Sequence, residues 1–375
     1  MSQAIACRST RLARLAARRR SARRPSLRRR VYAPTGLGLG LGLGLGLAVG
    51  LGLGGCAGPR PVTWPQAVLT PELAAESVRM PDGFRLPLRR WGPPADAPAD
   101  TVALALHGFN DYANAFEPLA RRLAADGIRV YAVDQRGFGA GRLAGRWHGS
   151  TRLSADLRAL VAALRQRHPN ARLVVIGESM GGAVVLAALA DGPLDADALV
   201  LIAPAVWSRG SMPWYQRLAL DTAVRLAPDK VLTGDGVPIY PSDNIDMLRD
   251  MGADPLVLKG ARVEALWGVT NLMDRALAGV GRLQGEVLLL YGERDRIIPP
   301  AAYCRMLERL PMDAEGLHLV LYRQGWHMLA RDLQGAMVRH DIARWLHDPA
   351  APLPSGETVA PDDPRLLDFC RRQEN

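Results

Sequence analysis

The stretch RLVVIGESMGGAVVLAALA, residues 172–190, decides how the rest of the chain is read. It opens on an apolar run without polar alternation, the pattern of a strand buried on both faces. It closes on a second apolar run, AVVLAALA, long enough for a buried helix. Between them stands Gly177-Glu178-Ser179-Met180-Gly181-Gly182, a G-x-S-x-G pattern. The five-residue pattern alone is weak, but its place between strand and helix makes it specific. A serine on such a sharp turn is held with its hydroxyl pointing outward. The flanking glycines are needed because side chains there would strike the neighbouring strand and helix.

Working outward, more apolar runs appear at 101–106 (TVALAL), 128–133 (IRVYAV), 198–202 (ALVLI), 286–291 (EVLLLY) and 317–322 (LHLVLY). Residues 84–91 (FRLPLRRW) follow the turn Pro81-Asp82-Gly83 and predict the second arm of a hairpin. Helical patterns separate most of the runs. In 153–164, Leu153, Leu157, Leu160, Val161 and Leu164 share one stripe. This alternation predicts an α/β fold with a mostly parallel, doubly wound sheet. The rhythm breaks between Ile202 and Glu286. That segment has helical patterns near 213–227 and 261–280 but no good strand, so residues 205–283 are expected to form an inserted helical cap. Residues 348–375, Pro-rich and polar, are expected to be a tail.

A neutral serine hydroxyl is a poor nucleophile, and it needs a base that is itself oriented by an acid. After a nucleophile on such a turn, the acid and then the histidine follow in chain order. Asp295 lies in Gly292-Glu293-Arg294-Asp295, just after EVLLLY, and His327 lies in Gly325-Trp326-His327, just after LHLVLY. Both loops follow strand C-termini, where open α/β sheets carry their sites. Glu293 is the fallback acid. The loop one strand earlier, Ala203-Pro204-Ala205-Val206, offers none. His340 and His347 fall in the terminal helical pattern, His318 opens a strand, and His148 and His168 lie far from the last strand. His107-Gly108-Phe109 follows TVALAL directly. The main-chain N–H groups of Phe109 and Met180 are the candidates for an oxyanion hole, and His107 is expected to be structural.

These motifs together resemble an α/β-hydrolase of the monoacylglycerol lipase and lysophospholipase group, which is also grouped with the serine aminopeptidases. The resemblance spans about residues 75–347. It is carried by His107-Gly108-Phe109, DQRGFG at 134–139, the Gly177–Gly182 turn, GERDRIIP at 292–299, and His327. It implies catalytic Ser179, Asp295 and His327, no metal and no organic cofactor. It also implies hydrolysis of carboxylic esters, monoacylated lipids foremost. DQRGFG is implied to be a structural loop. Glu178 departs from the histidine common before the nucleophile in these lipases. Phe109-Asn110-Asp111 departs from a glycine-and-glutamate loop. Both departures sit beside the pocket and bear on substrate. A peptidase that cleaves after a terminal residue is the alternative, and a non-catalytic envelope lipoprotein is a further one. The cap is rich in apolar side chains (Trp207, Trp214, Tyr215, Leu218, Leu266, Trp267, Leu272 and Met273), which suit either an acyl-chain pocket or an ordinary cap core.

Composition agrees with a folded body behind a leader. The 375 residues are 48% hydrophobic and 22% charged, far from a disordered chain. Residues 1–30 hold 11 Arg and no acid, and residues 31–55 hold no charged residue. Those 11 charges exceed the whole net charge of +10, which leaves −1 from Cys56 onward. The basicity therefore belongs to the leader, and a nucleic-acid partner loses its support.

Residues 1–55 read as a secretory signal, and 56–72 as a cysteine followed by a Pro-rich linker. Leu53-Gly54-Gly55-Cys56 resembles the lipobox of bacterial lipoproteins, which implies acylation of Cys56 and a membrane-anchored protein of the cell envelope. An uncleaved membrane helix, a secreted form and a misassigned start codon are the alternatives. Four cysteines are too few for a disulfide scaffold, and no pair has zinc-ligand spacing. Cys304 and Cys370 are expected to be separate thiols. If the protein is exported, pairing would tie the tail to the helix near 300–310.

Overall fold

Alternate residues of Thr101–Leu106 face opposite ways, and both sets are buried. Val102, Leu104 and Leu106 join one apolar cluster, whereas Ala103 and Ala105 join another. The same division holds for Leu173 and Val175 against Val174 and Ile176, and for Val287 and Leu289 against Leu288 and Leu290. A sheet with two dry faces needs helices on each, and that requirement sets the layers. The architecture comes from a computed structural model, which describes residues 69–94, 97–234, 239–311 and 316–373. The leader, Cys56 and the linker as far as residue 68 lie outside the described residues.

The strands are β1 (Glu72–Leu73), β2 (Ser77–Arg79), β3 (Arg85–Trp91), β4 (Thr101–Leu106), β5 (Arg129–Val133), β6 (Arg172–Glu178), β7 (Ala198–Ile202), β8 (Val231–Thr233), β9 (Gly260–Arg262), β10 (Glu286–Gly292), β11 (Leu317–Tyr322) and β12 (Thr358–Val359). The helices are α1 (Glu117–Ala125), α2 (Ser150–Arg167), α3 (Met180–Asp191), α4 (Trp214–Leu226), α5 (Ile245–Ala253), α6 (Val263–Gly279), α7 (Pro300–Leu307), α8 (Gly335–His347) and α9 (Pro364–Arg371). Ten strands form one sheet in the order β1-β2-β3-β5-β4-β6-β7-β10-β11-β12. From β5 to β11 every pairing is parallel. The first hairpin and β3 pair antiparallel at one edge, and β12 does so at the other. One face carries α2, α3, α6, α7 and α9, and the other carries α1 and α8. This is the expected α/β-hydrolase architecture. The stripe Leu153, Leu157, Leu160, Val161 and Leu164 is wholly buried.

Between β7 and β10 the chain forms the cap segment. It holds α4, α5 and α6, of which α5 was not foreseen, and a two-stranded ribbon of β8 and β9 where no strand was expected. Each ribbon strand has three residues, and β8 is exposed along its whole length, so neither leaves an apolar period in the sequence. The cap grips the body at named points. The Leu258 N–H donates to Asn110 O (2.9 Å), the Tyr112 hydroxyl to Asp254 (2.6 Å), and the Met328 N–H to Pro241 O (3.1 Å).

Residues 348–373 are built into the fold. β12 pairs with β11, and Leu353, Val359, Leu366 and Phe369 are buried. Arg365 donates to Glu293 (3.0 Å), to Glu357 and to the Leu321 carbonyl. The two thiols expected to be separate are joined: Cys304 and Cys370 form a disulfide between α7 and α9. The sequence reading erred because it left the tail unpacked, whereas α9 lies against α7 and brings the two Cα atoms to 5.6 Å.

Candidate active site

Ser179 sits between β6 and α3 with φ 51° and ψ −112°, a strained backbone for a residue with a side chain. The surroundings enforce it. The Ser179 N–H donates to Ile202 O (2.9 Å), and the Ser179 carbonyl accepts from Ala183 (3.0 Å) and Ala205 (2.9 Å). The glycines permit it. A Cβ on Gly177 would stand 2.6 Å from the Gly182 nitrogen, and one on Gly181 would stand 1.9 Å from the Leu106 carbonyl oxygen. The strand-turn-helix read from the sequence thus has a steric basis in this chain.

Loops after four parallel strands meet around this turn. His327, after β11, places Nε2 2.9 Å from Ser179 Oγ, and its Nδ1 lies 2.7 Å from Asp295 Oδ2. Asp295, after β10, is fixed through its other oxygen, which accepts the Ile297 and Ile298 N–H groups at 2.8 and 3.0 Å. Ser179, His327 and Asp295 are all buried. Burial alone would push the His327 pKa down. The Asp295 carboxylate, by charge and hydrogen bond, together with the charges of Glu178 and Asp332, outweighs it and holds the imidazole above its ordinary value of 6.5. With Nδ1–H donated to Asp295, Nε2 is the acceptor for the serine proton, the arrangement that activates a hydroxyl.

The loop after β4 lies alongside. A Cβ on Gly108 would be 3.4 Å from Ser179 Cβ. Among the described residues, the main-chain N–H groups of Phe109 and Met180 have no hydrogen-bond acceptor. Met180 follows Ser179 directly, and Phe109 follows Gly108, which lies beside the Ser179 side chain. His107 is held within the loop. Its Nδ1–H donates to Gly108 O (2.8 Å), its Nε2 accepts from the Gln135 N–H (2.9 Å), and burial pushes its pKa down. The DQRGFG segment supports the same loop. Asp134 accepts the N–H groups of Ala113 and Ala140, and Phe138 meets the rings of His107 and Phe109 edge-on. Glu293 pairs with Arg365, and among the described residues it makes no hydrogen bond to His327. Of the other histidines, His340 and His347 are exposed on α8, His168 bonds Tyr131, and His318 and His148 pack on Trp345 and Phe84.

The sequence reading missed a buried charge cluster behind the nucleophile. Arg331 lies 2.8 Å from Asp111 Oδ2 and 3.3 Å from Glu178 Oε2, and all three side chains are less than a tenth exposed. Glu178 and Asp111 were noted one at a time as departures from related lipases, and no local signal joined either to an arginine 153 residues beyond Glu178. Nearby, Asp332 accepts from the Trp326 N–H (2.7 Å) and the Ser242 hydroxyl (2.6 Å). Burial lifts its pKa to about 6 against those hydrogen bonds. Among the described residues, no group of three His, Cys, Asp or Glu side chains is placed to hold a metal ion.

Comparison with known proteins accords with this geometry. Residues 97–334 match the family described as serine aminopeptidase, S33. The chain is 31% identical over 278 residues to the monoacylglycerol lipase of Mycolicibacterium smegmatis, covering 70% of this chain and 93% of that one. It is 24% identical over 273 residues to the human monoglyceride lipase, covering 71% and 88%. Among solved structures, the monoacylglycerol lipase of Paleococcus ferrophilus superposes with a TM-score of 0.59 at 23% identity, over 70% of this chain and 98% of that one. A soluble variant of the Saccharomyces cerevisiae monoglyceride lipase, solved with a substrate analogue, superposes with a TM-score of 0.58 at 19% identity, over 79% and 100%.

Proposed function

The chain belongs to the serine aminopeptidase S33 family of α/β-hydrolases, and on that footing we propose that it is a serine hydrolase of carboxylic esters whose preferred substrates are monoacylated lipids. The observation that carries the reading is the unbroken relay from Ser179 Oγ through His327 to Asp295. Ser179 attacks the ester carbonyl as His327 takes its proton. Asp295 orients the imidazole and stabilises its charged form. The Phe109 and Met180 N–H groups meet the oxyanion, each such donor stabilising the transition state by about 3 kcal/mol. His327 then returns the proton to the leaving alcohol, and water, activated the same way, releases the acyl group.

The relatives support a lipid ester, since the curated ones quoted above are monoacylglycerol lipases. The cap adds to this. Trp214, Tyr215 and Leu218 stand exposed on α4, open to a lipid, whereas Leu272 and Met273 belong to the core. The family description also names a peptidase activity, which needs an acid free to hold a substrate amine. The acids around the nucleophile are buried and face other groups: Glu178, one of whose oxygens keeps no hydrogen-bond partner among the described residues, and Asp111 pair with Arg331, and Asp332 accepts from Trp326 and Ser242. That favours the ester reading. A fluorophosphonate probe with a panel of ester, lysophospholipid and aminoacyl amide substrates tests it. Labelling at Ser179 with ester turnover is expected. Amide turnover above every ester would reverse the substrate class.

We also propose that the protein is a lipid-anchored component of a bacterial cell envelope, acylated at Cys56. Support comes from the arginine-rich leader, the uncharged Gly-Leu run and the Leu-Gly-Gly-Cys sequence. A disulfide between Cys304 and Cys370 suits an oxidising compartment. Among the described residues, no helix is long and apolar enough to cross a membrane. Fatty-acid labelling of the wild type and of Cys56→Ser tests the anchor. Label retained in the variant would exclude Cys56 as the site.

A further inference from the structure

We propose that Arg331 is a positioning residue for ester hydrolysis, a single guanidinium that ties the loop carrying the Phe109 N–H and the turn carrying Ser179 to the segment carrying His327. The proposal rests on the hydrolase reading above. The three tied segments are those whose relative placement sets the reaction geometry. Asp111 is three residues from Gly108, and its carboxylate is shared. One oxygen accepts the Tyr112 N–H (2.9 Å) and shapes the loop, and the other meets Arg331 at 2.8 Å. Glu178 precedes the nucleophile directly, and its Oε2 meets the same Arg331 nitrogen, Nη2, at 3.3 Å. Arg331 is itself fixed from behind. Its N–H donates to Met328 O (2.7 Å), its carbonyl accepts from Asn244 of the cap (2.9 Å), and its Nη1 reaches Met251 Sδ (3.6 Å).

The energetics argue for positioning rather than stability. Three ionic groups less than a tenth exposed lose most of their hydration, and buried ion clusters seldom stabilise more than apolar packing of the same volume. This cluster is also incompletely satisfied, since Asp111 Oδ2, Glu178 Oε1 and Arg331 Nε have no hydrogen-bond partner among the described residues, and Asp111 Oδ2 meets Arg331 as an ion pair alone. A partly satisfied network is worse for stability than an apolar core. It does impose direction. A single guanidinium nitrogen placed between two carboxylates fixes how far each stands from the other, which apolar contacts do not. The geometry fixed here is that between the oxyanion donors and the serine–histidine pair, where a misplacement of about 1 Å lowers the rate by about a hundredfold.

The test uses the full chain with Arg331→Lys and the triple variant Asp111→Asn, Glu178→Gln, Arg331→Met. The readouts are Tm, kcat and KM on p-nitrophenyl butyrate, fluorophosphonate labelling, and amide exchange over residues 107–112. Arg331→Lys keeps the charge, but its shorter side chain does not bring a nitrogen to the Nη2 position that meets both carboxylates, so kcat should fall by about tenfold to a hundredfold with KM within about threefold. Exchange over 107–112 should quicken. The triple variant should match or exceed the wild-type Tm, because no charge is left buried alone, yet its kcat should stay down by about tenfold or more. A structural role alone would return kcat together with Tm, and that result overturns the proposal. So would full kcat in Arg331→Lys, or unchanged exchange over 107–112. Wild-type protein that takes no probe and cleaves no ester would instead sink the hydrolase reading, and the exchange measurement would still decide whether Arg331 ties the loops.

Discussion

Gly181 packs so closely on Leu106 that a methyl group on it would fall 1.9 Å from the Leu106 carbonyl oxygen. The clash is with main chain, so no rotamer change relieves it, and β4 and α3 would have to part. Gly181→Ala should therefore destabilise the protein by about 3 kcal/mol or more. Thermal unfolding checks this, with Ser179→Ala as the control expected to unfold like the wild type. Equal melting of Gly181→Ala and wild type would mean that the turn tolerates a wider spacing than described.

Ser179→Ala and His327→Ala should each lower kcat on the order of a millionfold, because nucleophile and base act as one unit and their losses do not add. Asp295→Asn should lose about 10⁴-fold, since it misorients the imidazole while leaving the nucleophile in place. Glu293→Gln should keep turnover near wild type, since Glu293 faces Arg365 and not His327. Steady-state kinetics on one simple ester checks all four. A silent Asp295→Asn beside a crippling Glu293→Gln would move the acid to Glu293.

The pH profile follows from the charges around His327. A general base works only when neutral, and its pKa here stands above the ordinary 6.5 because Asp295, Glu178 and Asp332 favour the charged form more than burial disfavours it. Activity should thus fall, as pH drops, at a pH above that of an unperturbed imidazole. Asp295→Asn removes the largest of the opposing influences, so burial gains weight and the acid limb of kcat/KM should move to lower pH, on a much reduced plateau. A limb that stayed in place, or moved upward, would mean that another group sets it.

Removing the Cys304–Cys370 bond should cost stability and spare chemistry. The crosslink closes a loop of sequence separation 66, which the chain-entropy account values at about 4 kcal/mol. Cys304→Ser with Cys370→Ser should melt well below the wild type, and kcat below the melting range should stay within about twofold, since both cysteines lie on α7 and α9 and neither takes part in the Ser179–His327–Asp295 hydrogen bonds. An unchanged Tm would show that β12, Arg365 and the buried Leu366 and Phe369 hold the tail unaided.

What was legible in the sequence was local. The turn at Ser179 is encoded by glycines within three residues of it, and Asp295 and His327 each follow an apolar run that could hardly be anything but a buried strand. What was not legible needed partners from distant segments. Arg331 reads as one more charged residue before a helix, and its role emerges only where Asp111 and Glu178 meet it. The pairing of Cys304 with Cys370 depends on α9 lying on α7, and α9 contributes only Leu366 and Phe369 to the core, too few for a period to show. The ribbon β8–β9 has no buried face long enough to read.

The substrate prediction joins the cap to the anchor. A tether at a membrane would place the enzyme where single-chain lipids arrive, and the cap offers them apolar side chains. Trp214, Tyr215 and Leu218 stand exposed on α4 and Trp207 and Trp267 are half-buried, whereas Leu272 and Met273 already belong to the core. Each methylene buried against such side chains contributes about 0.8 kcal/mol, or roughly fourfold in affinity. For simple esters, kcat/KM should therefore climb as the acyl chain lengthens from about two carbons to about eight, until the apolar surface is covered or diffusion limits the rate. Two-chain lipids should be poor substrates, because the cap grips the body through Asn110, Tyr112 and Met328 and crowds a second chain. A truncated form starting near Thr70 should keep the same preference, since the preference resides in the cap and not in the leader. Purified truncated enzyme and a series of p-nitrophenyl esters suffice. Faster cleavage of acetate than of octanoate would remove the lipid preference and leave a short-chain esterase built on the same three residues.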